Sequence, residues 1–224
     1  MGKIFVIDGT DGCGKQTQLE LLKKRLQNKK MNFKTVSFPN YESESSSLVK
    51  MYLNGEFGND PREVGPYVSS TFFAADRYAT FKKYYQEYYD NGGVILADRY
   101  TTANMIHQAG IITDKEEREK FLNWLCDFEF NLYKLPIPTE VFFLNMPTEY
   151  SEKLMKDREN KITHESKKDI IESNSECLKE AYNNACELVK KYNWTEIKCV
   201  KNNQIRTIED INDEIYNNII KQIS

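Results

Sequence analysis

The chain has 224 residues, of which 40% are hydrophobic and 29% charged, and its formal net charge is -3. This composition provides for one domain core, expected over 1–224, and argues against disorder, a basic nucleic-acid-binding face and a membrane span. Five cysteines scattered at Cys13, Cys126, Cys177, Cys186 and Cys199, with only two histidines, argue against a zinc framework and fit free thiols in a reducing, cytoplasmic setting.

The first predicted element is a strand, Lys3 to Asp8, with no leader peptide expected ahead of it. It runs into Asp8-Gly-Thr-Asp-Gly-Cys-Gly-Lys15, where Gly9, Gly14 and Lys15 satisfy the phosphate-binding pattern G-x-x-x-x-G-K. The physics of that pattern is specific. Glycines let successive N–H groups converge on one anion, and the next helix points its positive end at it. The expected ATP cradle is Gly9, Thr10, Asp11 and Gly12 on the first limb, Cys13, Gly14 and Lys15 on the second, and Gln16 and Thr17 opening the helix. Lys15 is expected to reach the outer phosphates. The pattern ends in Ser or Thr, whose hydroxyl holds Mg²⁺, but Gln16 stands there. The amide oxygen of Gln16 and the hydroxyl of Thr17 are the alternative ligands for that hard cation.

A helix is expected from Lys15 to Lys29, a strand from Phe33 to Phe38, and a helix from Ser45 to Leu53. Pro66 to Tyr89 reads as one long helix whose aromatic residues serve a core or a subunit interface. The next strand, Val94 to Asp98, ends in Asp98-Arg99-Tyr100. A carboxylate beside an arginine at the end of a buried strand is badly placed for a core and well placed to face phosphates. Asp98 is a further candidate for holding Mg²⁺ through water, and Arg99 for bridging donor and acceptor phosphates.

Helices are expected at Thr102 to Gln108 and Lys115 to Phe130, then a strand at Val141 to Asn145 and a helix at Glu149 to Arg158. The polar stretch at about 158–168 reads either as a solvated loop or as a mobile lid that delivers a cation. A helix from Asp169 to Lys191, a strand from Glu196 to Val200 and a helix from Ile208 to Ile223 complete the chain. The alternation predicts an α/β fold of the P-loop type: three layers, α/β/α, with a five-stranded parallel sheet and the lid. Ligands then sit at the C-terminal ends of the strands.

Taken together, the motifs resemble those of the thymidylate kinases, P-loop enzymes that convert dTMP to dTDP with ATP. The resemblance rests on Asp8-Gly-Thr-Asp-Gly-Cys-Gly-Lys-Gln-Thr-Gln18, Phe38-Pro39, Phe72-Phe-Ala-Ala-Asp-Arg77, Asp98-Arg-Tyr100 with Gln108 beyond it, and Leu135-Pro-Ile-Pro138. It implies that Asp11 accepts from the deoxyribose 3′-hydroxyl, that Phe38 and Pro39 wall the dTMP phosphate, that Phe73 stacks on thymine, and that Arg77 reaches the base edge. Asn104 and Gln108 fall near the base, and His107 stands where a tyrosine often crowds a ribose 2′-hydroxyl. It further implies a homodimer. The chain also departs from the family. Asn40 and Tyr41 replace an arginine common after Phe-Pro, leaving Arg99, or Arg99 with Arg62, to hold the acceptor phosphate, and Ala103 replaces a common serine. The loop has no basic residue between Asp11 and Gly14, so the resemblance implies a catalytic cation from the lid, with Arg158 the first choice among Arg158, Lys161, Lys167 and Lys168.

Two other readings fit the same residues: a kinase of another (deoxy)nucleoside or nucleoside monophosphate, and a non-catalytic nucleotide-binding relative. The first is separated by a substrate panel, the second by nucleotide binding without turnover.

Overall fold

The computed structural model describes residues 1–155, 169–171 and 174–223. The elements run β1 (Lys3–Asp8), α1 (Lys15–Asn28), β2 (Lys34–Ser37), α2 (Ser47–Leu53), α3 (Pro61–Val64), α4 (Pro66–Tyr84), α5 (Gln86–Asp90), β3 (Val94–Asp98), α6 (Thr101–Gly110), α7 (Lys115–Cys126), β4 (Glu140–Asn145), α8 (Thr148–Met155), α9 (Ser175–Lys191), β5 (Thr195–Lys198), the short strands β6 (Val200–Lys201) and β7 (Gln204–Ile205), and α10 (Ile208–Ile223). A 3-10 turn, Glu44–Ser46, leads into α2, and a π-wound segment, Asp127–Leu132, follows α7.

The five main strands form one parallel sheet in the order β2-β3-β1-β4-β5. The apolar run of β1 explains why helices cover both faces. Phe5 and Ile7 pack with Leu19, Leu22 and Leu26 of α1 and Ile211, Ile215 and Ile219 of α10. Ile4 and Val6 point the other way, into a core with Ile95, Ala97, Phe81 and Tyr100. Each such side chain gains roughly 1.5–3 kcal/mol from burial, so neither face is left to water. Phe143 extends the core to α6 and α9 through Met105, Ile106, Ala181 and Leu188.

Register decides where the site lies. Ile7 of β1 and Ser37 of β2 both stand opposite Asp98 of β3. The Phe38 N–H donates to Asp98 O at 3.0 Å, and the Arg99 N–H to Ile7 O at 3.1 Å. The loops after β1, β2 and β3 therefore open on one edge.

Several boundaries differ from the sequence expectation. The helix expected over Pro66 to Tyr89 breaks at Tyr85, whose hydroxyl donates to Thr35 O at 2.8 Å and pins the break to β2. The helix expected to reach Phe130 leaves α-geometry at Cys126 and widens into the π-wound segment. The helix expected from Asp169 starts at Ser175, where Asn174 Oδ1 accepts from the Cys177 N–H. Helix α3 was unforeseen; Asp60 and Glu63 build its capping box and Pro61 opens its first turn. So was the β6–β7 hairpin, whose turn residues Asn202 and Asn203 take left-handed φ values of 51° and 60°. The helix expected over Glu149 to Arg158 is described as far as Met155; Arg158 and the expected lid lie outside the described residues.

Candidate active site

The glycine loop joins β1 to α1. Gly14, at φ 92°, sets the left-handed step that starts α1. A side chain on Gly12, at φ 79°, would run into Met155 Cγ at 2.6 Å and Ser151 O at 2.7 Å, so α8 closes down on the loop only because that position is bare. Cys13 is buried beneath the loop, where burial pushes its thiol pKa up, which fits a small space-filling residue. Lys15 is the expected contact to the outer phosphates. In this structure its ammonium is buried and donates to Gly9 O at 3.0 Å and Thr10 O at 2.9 Å, so it rests on the loop it belongs to.

Beside the loop lies a cavity of about 1440 Å³. Asp11 and Gln16 contribute from the loop and α1, Phe38, Pro39, Phe73 and Arg77 from one wall, and Asp98, Arg99, Asn104, His107 and Gln108 from the other. The sequence thus named residues from four separate segments that share one cavity. Asn40, Tyr41 and Ala103, the positions that depart from the family pattern, also line it, as do Asp169 and Ile171, which carried no sequence signal. Thr17 does not line it: one position round α1 from Gln16, it points to solvent. Arg62, named with Arg99 for the acceptor phosphate, is absent from the lining and pairs with Glu180 at 2.9 Å and Glu176 at 3.3 Å.

Arg99 is the electrostatic centre. Its backbone is left-handed, φ 66°, an uncommon state for a residue with a side chain. The bond to Ile7 O and three side-chain partners hold it there. Nη2 donates to Asp11 Oδ1 at 2.5 Å, Nη1 donates to His107 Nε2 at 2.9 Å, and Nη1 lies 3.9 Å from Asp8 Oδ1. Burial alone would lower the Arg99 pKa, but Asp11, Asp8 and Asp98 outweigh it and raise it above the ordinary value. His107 has the opposite fate: burial, then the Arg99 charge, hold its ring pKa down to about 3. An arginine only donates, so Nε2 must be the acceptor and the His107 proton sits on Nδ1.

Asp8 is fully buried, accepting from the Gly9 N–H at 2.8 Å and the Thr102 hydroxyl at 2.5 Å. Burial raises its pKa against the pull of Arg99 and Lys15. Asp98 Oδ1 is buried with no hydrogen-bond partner among the described residues. An orphaned carboxylate oxygen at the strand end, with the Gln16 amide on the same cavity, fits a hard cation held chiefly by phosphate and water oxygens. Among the described residues, no three His, Cys, Asp or Glu side chains gather into a cage for a metal.

Phe73, Arg77, Asn104 and Gln108 bring an aromatic ring and polar side chains to the cavity. Phe73 stands edge-on to Tyr52 with ring centroids 6.1 Å apart. Arg77 donates to Asn104 Oδ1 at 2.6 Å, and Asn104 Nδ2 donates to Gln108 Oε1 at 3.2 Å and Ser70 Oγ at 3.3 Å. Sequence reasoning missed Glu129 and Thr101, both buried behind Arg77, and Thr102 on Asp8. The available signal was an acid inside the aromatic run Phe128-Glu-Phe130 and two hydroxyls directly after Asp98-Arg-Tyr100.

A parallel sheet with a lysine-ended glycine loop at the end of β1, and a charged cavity over the ends of β2 and β3, defines a P-loop kinase fold. Residues 7–211 match the family model described as thymidylate kinase, and the chain belongs to that family. It is similar to a thymidylate kinase of Exiguobacterium sp., 24% identical over 224 residues, which span 99% of this chain and 96% of the relative. It is similar to a thymidylate kinase of Plasmodium falciparum, 25% identical over 222 residues, 98% of this chain and 90% of the relative. A probable thymidylate kinase of Thermococcus gammatolerans is 27% identical over 225 residues, 100% of this chain and 98% of the relative.

Proposed function

We propose that this chain transfers the γ-phosphoryl group of ATP to dTMP, giving dTDP. The observation that carries the reading is the cavity itself: Asp11 of the glycine loop and Gln16 share its lining with Arg99 and with Phe73, Asn104 and Gln108, while Lys15 and the loop glycines lie outside that lining, in a chain that belongs to the thymidylate kinase family over most of its length. Such a transfer asks for little covalent chemistry. The protein aligns two anions and offsets their repulsion.

The roles follow from the chemistry of each group. Lys15 exchanges the carbonyls of Gly9 and Thr10 for the outer phosphates of ATP. Arg99, between loop and cavity, bridges donor and acceptor phosphates, and a phosphate must compete with Asp11 for Nη2. Phe73 offers a face to the pyrimidine, and Arg77, with Asn104 and Gln108 beside it, meets the base edge. Asp11 is read as the acceptor for the sugar 3′-hydroxyl and His107 as the side chain facing the 2′ position. A bound Mg²⁺ supplies charge neutralisation on the transferring phosphates. Asp98 and Gln16 would hold it. The catalytic cation is assigned to the lid, with Arg158 first.

The protein is further read as a cytoplasmic homodimer. No described helix is long and apolar enough to cross a membrane. Tyr67, Val68 and Tyr78 of α4 are each partly exposed, which supports an interface there. The resemblance also makes Thr102 to Phe130 a candidate interface; its first part, α6, is buried within the chain against α9, which leaves α7 as the part open to a partner.

The test is ADP release by the purified protein with dTMP, dUMP, UMP, CMP and thymidine as acceptors. Turnover with dTMP well above the others supports the reading. Preference for thymidine or a ribonucleotide assigns the site to another kinase class, and ATP binding with no turnover makes the chain a non-catalytic relative.

A further inference from the structure

Arg77 lines the cavity, yet its guanidinium is spent almost wholly inward. Nε donates to Glu129 Oε2 at 2.7 Å, and Nη2 to Glu129 Oε1 at 3.1 Å and Asn104 Oδ1 at 2.6 Å. Nη1 is left without a hydrogen-bond partner among the described residues. Glu129 is fully buried, and its Oε2 also accepts from the Thr101 hydroxyl at 2.7 Å. Its backbone is fixed as well: the π-wound segment turns back so that the Leu135 N–H donates to Glu129 O at 3.0 Å. The rings of Phe38 and Tyr100 each lie 5.6 Å from the Arg77 guanidinium carbon.

A carboxylate in this place is costly, so its effect on Arg77 needs an account. Burying either ion alone is unfavourable, and two parallel hydrogen bonds are the geometry that offsets it. The same two bonds fix the plane of the guanidinium, because a single acceptor would let the fork rotate. They also cancel its charge. The cavity therefore receives from Arg77 a rigid N–H donor with no net positive charge. That suits a neutral carbonyl oxygen on a base edge. An unpaired arginine there would instead attract the phosphate to the wrong end of the cavity.

Resting on the proposed function, we infer that Glu129 is a positioning residue for base recognition: acting through Arg77, it aims Nη1 at the acceptor's base and keeps the Arg77 charge from competing for the acceptor's phosphate. It touches no substrate, so its effect on the acceptor's base is carried by Arg77, while the Thr101 hydroxyl is its other partner.

The experiment is a double-mutant cycle on the full chain, with Glu129→Gln, Arg77→Leu and the double variant, reading KM for dTMP, KM for ATP and kcat, with dTMP affinity by calorimetry. In the wild-type background Glu129→Gln is expected to raise the dTMP KM tenfold or more, with the ATP KM within twofold and kcat at saturation within threefold. In the Arg77→Leu background the same change should move the dTMP KM less than twofold. Equal losses for both substrates and kcat, or a loss of the same size without Arg77, would overturn the inference. Should Glu129→Gln or Arg77→Leu not fold, Glu129→Asp, which keeps the charge but shortens its reach, carries the test: the same selective rise in dTMP KM is expected, and an unchanged value overturns it. Wild-type protein that binds no dTMP would bring down the functional reading itself. Wild-type protein that binds dTMP, with variants indistinguishable from it, would bring down only the role of Glu129.

Discussion

Arg99 Nη2 donates to Asp11 Oδ1 at 2.5 Å, joining the turn after β3 to the phosphate loop across 88 residues of chain. The same guanidinium holds His107 with its other terminal nitrogen. A lysine has one ammonium and cannot span both partners while meeting a phosphate. Arg99→Lys is therefore expected to lower kcat at least a hundredfold, measured by coupled ADP release, with the fold retained by circular dichroism. Activity within threefold of wild type would remove Arg99 from the transfer step.

Lys15→Ala is expected to abolish most turnover. Loss of a charge-assisted contact to the transferring group costs about 3 kcal/mol or more of barrier, a hundredfold or greater in rate. Stability should also fall, because Gly9 O and Thr10 O lose their donor. Each lost bond is worth about 1 kcal/mol. Urea unfolding and kinetics on the same variant separate the two effects, and near-native kcat would exclude the loop from the mechanism.

Phe73→Ala tests the base end. The loss of a stacking face is worth roughly 1–3 kcal/mol. The dTMP KM should rise about tenfold or more while the ATP KM stays within twofold. Parallel changes in both constants would mean that Phe73 serves only the packing around Tyr52.

His107 makes the fold sensitive to acid. Burial and the Arg99 charge hold its pKa near 3, below the ordinary 6.5. Below pH 6.5 the unfolded chain takes up a proton that the folded chain refuses, so this residue's contribution to stability falls as pH drops toward 3, by up to about 1.4 kcal/mol per pH unit. His107→Gln keeps an acceptor for Arg99 and does not titrate. Urea midpoints at pH 7, 5.5 and 4 should therefore fall more steeply for wild type than for the variant. Parallel lines would show that His107 is not held neutral.

Much of this arrangement was legible in the sequence because it follows short-range rules. The apolar run of β1, the glycines around Lys15 and Asp98-Arg99 at a strand end each state their conformation locally. What was hidden depends on long-range packing. Glu129 lies 52 residues from Arg77, in a segment whose π winding interrupts the helical period, so no spacing rule links them. The inward turn of Lys15 is a choice between its own carbonyls and a phosphate, which composition does not encode. Arg62 looked available because two of the three acids that engage it, Glu176 and Glu180, lie on α9, more than a hundred residues on.

On the reading above, phosphate moves from ATP to dTMP on this chain. The direct measurement uses ATP labelled at the γ-phosphate and follows the label with purified protein, dTMP and Mg²⁺. Label is expected to appear in the terminal phosphate of dTDP in step with ADP, only when dTMP is present, and at least a hundredfold more slowly with Lys15→Ala. Label found in free phosphate instead, or ATP left intact by protein that binds both nucleotides, would contradict that reading.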